Sequence, residues 1–155
     1  MIDKASIVVD KLKSTRKKIS FAESLTGGLI AETIVSVPGA SSVFGYGFVT
    51  YSDEAKCKLL SVNESCIAKH GAVSFECAYE MAEGAYKCSG ADIAVSVTGF
   101  AGPASEEDYE PVGTVFMGVC VSGNTSVHRL QLDGDRKTIR NKTAEAVFDY
   151  LIEIL

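Results

Sequence analysis

One run, Asp92 to Thr98 (DIAVSVT), constrains the fold more than any other segment of this chain. It is nearly continuous in apolar residues, has the length of a strand, and ends in Gly99-Phe100-Ala101-Gly102-Pro103, a loop signal. A strand that does not alternate suits burial on both faces, so it belongs in the middle of a sheet covered by helices on either side. The surrounding pattern agrees. Ile7, Val8 and Leu12 recur at helical spacing and predict an amphipathic helix over 3–15. Lys18 to Ser24 reads as a short strand. Thr26-Gly27-Gly28 then turns into a helix, with Thr26 as its N-cap, Leu29, Ile30, Ile34 and Val37 as its buried stripe, and Pro38-Gly39 as its end.

Val43 to Tyr51 is aromatic and β-branched and reads as a second strand, in which Gly45 and Gly47 suggest a bulge or a close backbone approach. Ser52 or Asp53 caps a short helix over 54–60, residues 63–69 give a helical turn, and Ser74 opens a longer helix to about Cys88. Val112 to Val121 and Ser126 to Leu132 flank Ser122-Gly123-Asn124-Thr125 and form a hairpin. A last helix covers about 135–154. The expected fold is a three-layer α/β/α sandwich with a mixed, mostly parallel sheet of about five strands, its ligand loops at the strand C-termini.

The 155 residues suit one domain over 1–155, and 46% apolar with 23% charged residues is ordinary for a globular protein. A formal net charge of -5 argues against nucleic-acid binding, and the basic cluster Lys11 to Lys18 reads as a solvated helix face. Asp3 and Asp10 interrupt any signal-peptide core, and no run reaches the roughly 18 apolar residues of a membrane span. A cytoplasmic protein is expected, with no membrane partner. Five cysteines without a C-x-x-C pair, together with only His70 and His128, predict reduced thiols and no metal site.

Two constellations could carry chemistry. Ser24, Thr26, Gly27 and Gly28 follow a strand and open a helix, where unpaired N–H groups favour an anion; the same residues also fit a simple capped turn. Ser41, Tyr51 and Lys56 combine a hydroxyl, a relay and an amine, the parts of a serine nucleophile with a lysine base. On spacing alone a helix-exit turn serine at Ser41 and a surface lysine at Lys56 are the stronger reading. Thr98 and Gly99 end the central strand, and Arg136 and Arg140, one helical turn apart, are phosphate-binding candidates or a plain surface pair. The role of Glu23 stays open, and His70 fits the support of a turn.

Taken in order, A-E-S-x-T-G-G at 22–28, P-G-A-S-x-x-F at 38–44, F-V-T-Y-S-D-E-A-K at 48–56, H-G-A-V-S at 70–74, V-S-x-T-G-x-A-G-P at 95–103, P-V-G-T-V at 111–115 and G-D-R at 134–136 resemble the CinA C-terminal domain family, whose stand-alone form is nicotinamide mononucleotide deamidase. The resemblance implies a metal-independent serine–lysine amidohydrolase without a cofactor. It would convert the nucleotide carboxamide to nicotinate mononucleotide and ammonia, with Ser41 as nucleophile, Tyr51 assisting and Lys56 as base. It also implies a homo-oligomer. Leu25 stands where many members have cysteine, and the acidic 104–110 loop lacks a glycine run. The rival expectation is a non-catalytic nucleotide-binding or interaction module of the competence and damage-inducible type.

Overall fold

The computed structural model describes residues 1–155. In chain order the elements are α1 (Ile2–Thr15), β1 (Ile19–Glu23), α2 (Leu29–Val35), a 3-10 turn (Ala40–Ser42), β2 (Phe44–Val49), α3 (Asp53–Leu60), α4 (Glu64–His70), α5 (Phe75–Ser89), β3 (Ile93–Gly99), β4 (Thr114–Val121), β5 (Asn124–Gln131) and α6 (Arg136–Ile154). The strands form one sheet in the order β2-β1-β3-β4-β5. β1 runs parallel to both β2 and β3, while β4 is antiparallel to β3 and β5. Only β4 therefore opposes the common direction. The apolar run is the middle strand, buried from Ile93 through Thr98.

Helices cover both faces, as a doubly buried central strand demands. On one side α1, α2 and α6 pack over Ile19, Phe21, Val95, Val97, Met117 and Val119, the larger core. On the other, α5 lays Cys77, Met81, Ala82 and Ala85 on Ala22, Ala94 and Cys120, with Leu60 of α3 beside them. Phe21 and Phe148 are fully enclosed, and burial of such side chains contributes roughly 1.5–3 kcal/mol each. Seating α5 this close requires Gly118, because a Cβ there would collide with the Ala78 carbonyl. Ser96 Oγ donates to that carbonyl at 2.6 Å.

Local chemistry sets most boundaries. Ser52, Ser74 and Asp135 accept from the third residue of their helices, Ala55, Cys77 and Thr138. The β4–β5 connection is tighter than the four residues expected: Ser122 (φ 50) and Gly123 (φ 83) are both left-handed, the signature of a two-residue hairpin turn. Gly45 is the bulge of β2, since Ile19 faces Phe44 but Ser20 faces Tyr46. The start of α2 departs from expectation. Thr26 does not cap it; the carboxylate of Glu23 accepts from Gly28, Ile30 and Ala31 N–H at 3.0, 3.1 and 2.8 Å. An anion satisfying three helix-start donors outcompetes a neutral hydroxyl. No helix is long and apolar enough to cross a membrane.

Candidate active site

The C-terminal ends of β1 and β3 open into a cleft of about 260 Å³, walled by Ser24, Tyr51, Lys56, Val73, Thr98 and Arg136. Parallel strands gather their loops at this end of a sheet. A larger groove of about 580 Å³ lies between α3 and α4, but it is lined by Asp53, Glu54, Glu64, Lys58 and Cys57, with no base set against an activated nucleophile. Burial pushes the Cys57 thiol up, so it offers little thiolate.

Lys56 is the chemically distinctive residue of the cleft. It lies one turn into α3, and helical side chains lean back toward the helix N-terminus. The amine is thereby aimed at the β2–α3 junction. It is almost fully enclosed, donates to the Thr50 carbonyl at 2.9 Å, and stands 3.2 Å from Ser24 Oγ. No carboxylate pairs with it. Burial holds its pKa below the ordinary 10.5, while Cys77, Asp53 and Cys57 act weakly the other way. Cys77 itself is pushed up to about 12, chiefly by burial, and stays a thiol.

Ser24 is held as firmly as its partner. Its N–H donates to Val97 of β3 at 3.1 Å, and its carbonyl accepts from Gly27. From behind, Arg140 of α6 donates through Nε to the Leu25 carbonyl at 2.9 Å and through Nη2 to that of Thr26 at 2.7 Å. Leu25 packs into the larger core. The N–H groups of Leu25 and Thr26 make no hydrogen bond within the chain. Thr26 Oγ1 is buried without a partner.

At the mouth, Arg136 donates to the Tyr51 hydroxyl and to the Gly102 carbonyl, both at 2.7 Å. Both side chains are exposed, so this guanidinium can turn toward a ligand. The Tyr51 hydroxyl is engaged by Arg136 rather than by Lys56. Thr98 Oγ1 donates to the Ala72 carbonyl at 2.7 Å, which fixes the opposite wall.

The structure does not bring Ser41 to Lys56. Ser41 lies on the exposed 3-10 turn before β2, whereas Lys56 follows its far end. Six strand residues separate those ends, roughly 20 Å of rise. Of the phosphate candidates, Arg136 faces the cleft while Arg140 spends its donors on the turn after Ser24. The anion position at the start of α2 is filled by Glu23, so Gly27 and Gly28 serve the turn's geometry, with φ of 59 and 98. One residue left open and one missed from sequence contribute here. Glu23 ends its strand just before Ser24, and its open role is the cap of α2. Tyr109, in the acidic loop, accepts from Val73 N–H at 2.7 Å and sets its ring edge-on to Phe100. The aromatic in that otherwise acidic loop was the available signal.

The family model of the CinA C-terminal domain matches residues 2–155. A CinA-like protein of Kosmotoga olearia is 50% identical over 94% of this chain and 35% of its own length. A putative competence-damage inducible protein of Caldicellulosiruptor saccharolyticus is 47% identical over 94% and 35%. The chain thus spans about a third of the curated relatives it matches. Among solved structures, a competence damage-inducible protein A from Klebsiella pneumoniae superposes with TM-score 0.96 at 35% identity, covering 99% of this chain and 95% of that one. An Escherichia coli protein of the CinA superfamily gives 0.96 at 31%, covering 100% and 91%.

Proposed function

This chain belongs to the CinA C-terminal domain family, and on that premise we propose that it is a nicotinamide mononucleotide deamidase in which Ser24, rather than Ser41, is the nucleophile and Lys56 the base. The observation that carries the reading is the enclosed Lys56 amine 3.2 Å from Ser24 Oγ in a cleft. A lysine whose pKa burial lowers has a larger neutral fraction, which can take a hydroxyl proton.

In this mechanism Lys56 removes the Ser24 proton as Oγ bonds to the carboxamide carbon. The negative charge gathers on the former carbonyl oxygen, and the unpaired N–H groups of Leu25 and Thr26 are the donors within the turn that can receive it. The carbon–nitrogen bond then breaks. The departing nitrogen takes the proton from the Lys56 ammonium and leaves as ammonia. Water enters, gives a proton to Lys56 and attacks the acyl ester; Ser24 Oγ departs and recovers that proton. The cleft, about 260 Å³, falls just below the usual 300–1,000 Å³ of ligand sites, so it would take the pyridine ring and carboxamide and leave the rest of the nucleotide at its mouth. Arg136 at the mouth would hold the phosphate, with Tyr51 orienting it.

The test is ammonia release from nicotinamide mononucleotide with EDTA present. Ser24→Ala and Lys56→Ala should each lower kcat/KM by roughly 10³-fold or more. Ser41→Ala should stay within about twofold, as an exposed substitution does. Full activity in folded Ser24→Ala would sink the nucleophile assignment. An inactive parent that still binds the nucleotide would favour the non-catalytic module.

A further inference from the structure

Three side-chain oxygens in this chain are buried without a hydrogen-bond partner, those of Thr26, Thr50 and Thr125. A buried unpaired hydroxyl costs stability, so each such group calls for an explanation. Two of the three flank the Ser24–Lys56 pair. Thr26 follows Ser24 in the same turn, and its N–H serves the oxyanion in the proposed mechanism. Thr50 has no such part. It joins β2 to α3, is fully buried, and its carbonyl holds the Lys56 amine at 2.9 Å. Its N–H donates to the Glu23 carbonyl, which continues the pairing of β1 with β2 by one residue and sets Thr50 beside Ser24. Strand residues alternate between faces, so Thr50 shares the face of Phe48 and Ala22, where α5 and Leu60 of α3 pack. Lys56 lies one turn before Leu60 on α3. The Thr50 hydroxyl is therefore on the lysine's side of the sheet.

Counting donors gives that hydroxyl a task. A neutral amine has two N–H groups and a lone pair, whereas an ammonium has three N–H groups and no lone pair. For neutral Lys56 the Thr50 carbonyl takes one N–H and the Ser24 hydroxyl can donate to the lone pair. Once Lys56 holds the Ser24 proton, that carbonyl and Ser24 Oγ accept two of its N–H groups, and the third has no acceptor. The titratable groups around the amine are Cys77 of α5 and Asp53 and Cys57 of α3, with Tyr51 and Arg136 across the cleft. None of them hydrogen-bonds to it, and a thiol accepts only weakly. We propose that Thr50 is the positioning residue of the base: its hydroxyl oxygen accepts the third N–H of Lys56 when the amine is protonated and is released when the amine is neutral. The inference rests on Lys56 acting as the base of the proposed reaction. A shift of the flexible lysine tip suffices to engage the oxygen. An acceptor that serves only the ammonium favours the charged form, so it strengthens the base at the step that takes the proton.

Thr50→Val removes the oxygen and keeps the branched shape. In ammonia release from nicotinamide mononucleotide it should move the acid limb of kcat/KM down by about one pH unit or more, the worth of a hydrogen bond to a charged group. The plateau should fall with it, because the base is weaker. Thr50→Ser, which keeps the oxygen, should hold the parent's limb. Chemical denaturation reads the same contact without substrate. Below the folded pKa of Lys56 the parent encloses a paired ammonium and Thr50→Val an unpaired one, so the variant is the less stable there. That deficit should vanish or reverse as the pH rises through this pKa toward 10.5, where the amine is neutral and the hydroxyl has no partner. A Thr50→Val limb that coincides with the parent's overturns the proposal, as does a Thr50→Ser limb displaced as far as that of Thr50→Val. A stability gap that stays constant from pH 7 to 10.5 overturns it whether or not the parent releases ammonia. An inactive parent that shows the closing gap sinks the deamidase reading and upholds Thr50.

Discussion

An enclosed amine without an anionic partner is an expensive residue to keep, because burial penalises the charged form. Lys56 is in that position: almost no surface, one carbonyl and one hydroxyl as neighbours, and no carboxylate. Its lowered pKa has a kinetic consequence if the proposed role holds. The reactive form is the neutral amine, so kcat/KM should rise tenfold per pH unit on the acid side and level off at a pH below the ordinary lysine value of 10.5. Lys56→Arg, whose group stays protonated, should lose that limb together with the activity. A profile that is flat through this range would place the base elsewhere. The pairing itself was only half legible in the sequence. Lys56 stood out because the chain offers few other bases, but Ser41 is the nearer serine along the chain. Strand β2 carries Ser41 away, and the backward lean of a helical side chain brings in Ser24 from another strand. Neither effect is encoded in spacing.

Elements place these residues by reaching across layers. β1 delivers Ser24, α3 delivers Lys56, and α6 sends Arg140 through the edge of the larger core to grip the Leu25 and Thr26 carbonyls. The helices and strands themselves were readable from period and caps: Ser52, Ser74 and the apolar run 92–98 each stand where the sequence placed them. The cap of α2 was not, because a carboxylate from the preceding strand fills it and no local motif announces a side chain arriving from five residues back. Arg140 was misread for a related reason. Its face of α6 is helical arithmetic, but what lies against that face is tertiary. As a positioning residue it should act on the rate rather than on binding. Arg140→Met loosens the turn that carries Ser24, and a displacement near 1 Å can cost about 10²-fold. We expect kcat to fall by about 10–100-fold with KM little changed. A rise in KM at constant kcat would instead mark Arg140 as a substrate ligand.

For the whole molecule, the same buried lysine that serves the cleft should cost stability. Its folded pKa lies below 10.5, so between the two values the unfolded chain holds a proton that the folded chain has released. Stability then increases with pH across that window, and this contribution is at its lowest below the folded pKa, where both states are protonated and the fold must enclose a charge. Lys56→Met removes the titration while filling much the same volume. Chemical denaturation of parent and variant should therefore give a stability difference that depends on pH. The variant is favoured most at neutral pH, and the parent gains on it steadily toward 10.5. If the gap stays constant from pH 7 to 10.5, Lys56 is not depressed in the fold, and the enclosed base loses its physical ground. The outcome reaches beyond one residue, since sites that hold reactive groups out of water are commonly kept at the expense of the surrounding fold. In this chain that cost falls on the enclosed Lys56 in the wall of the cleft.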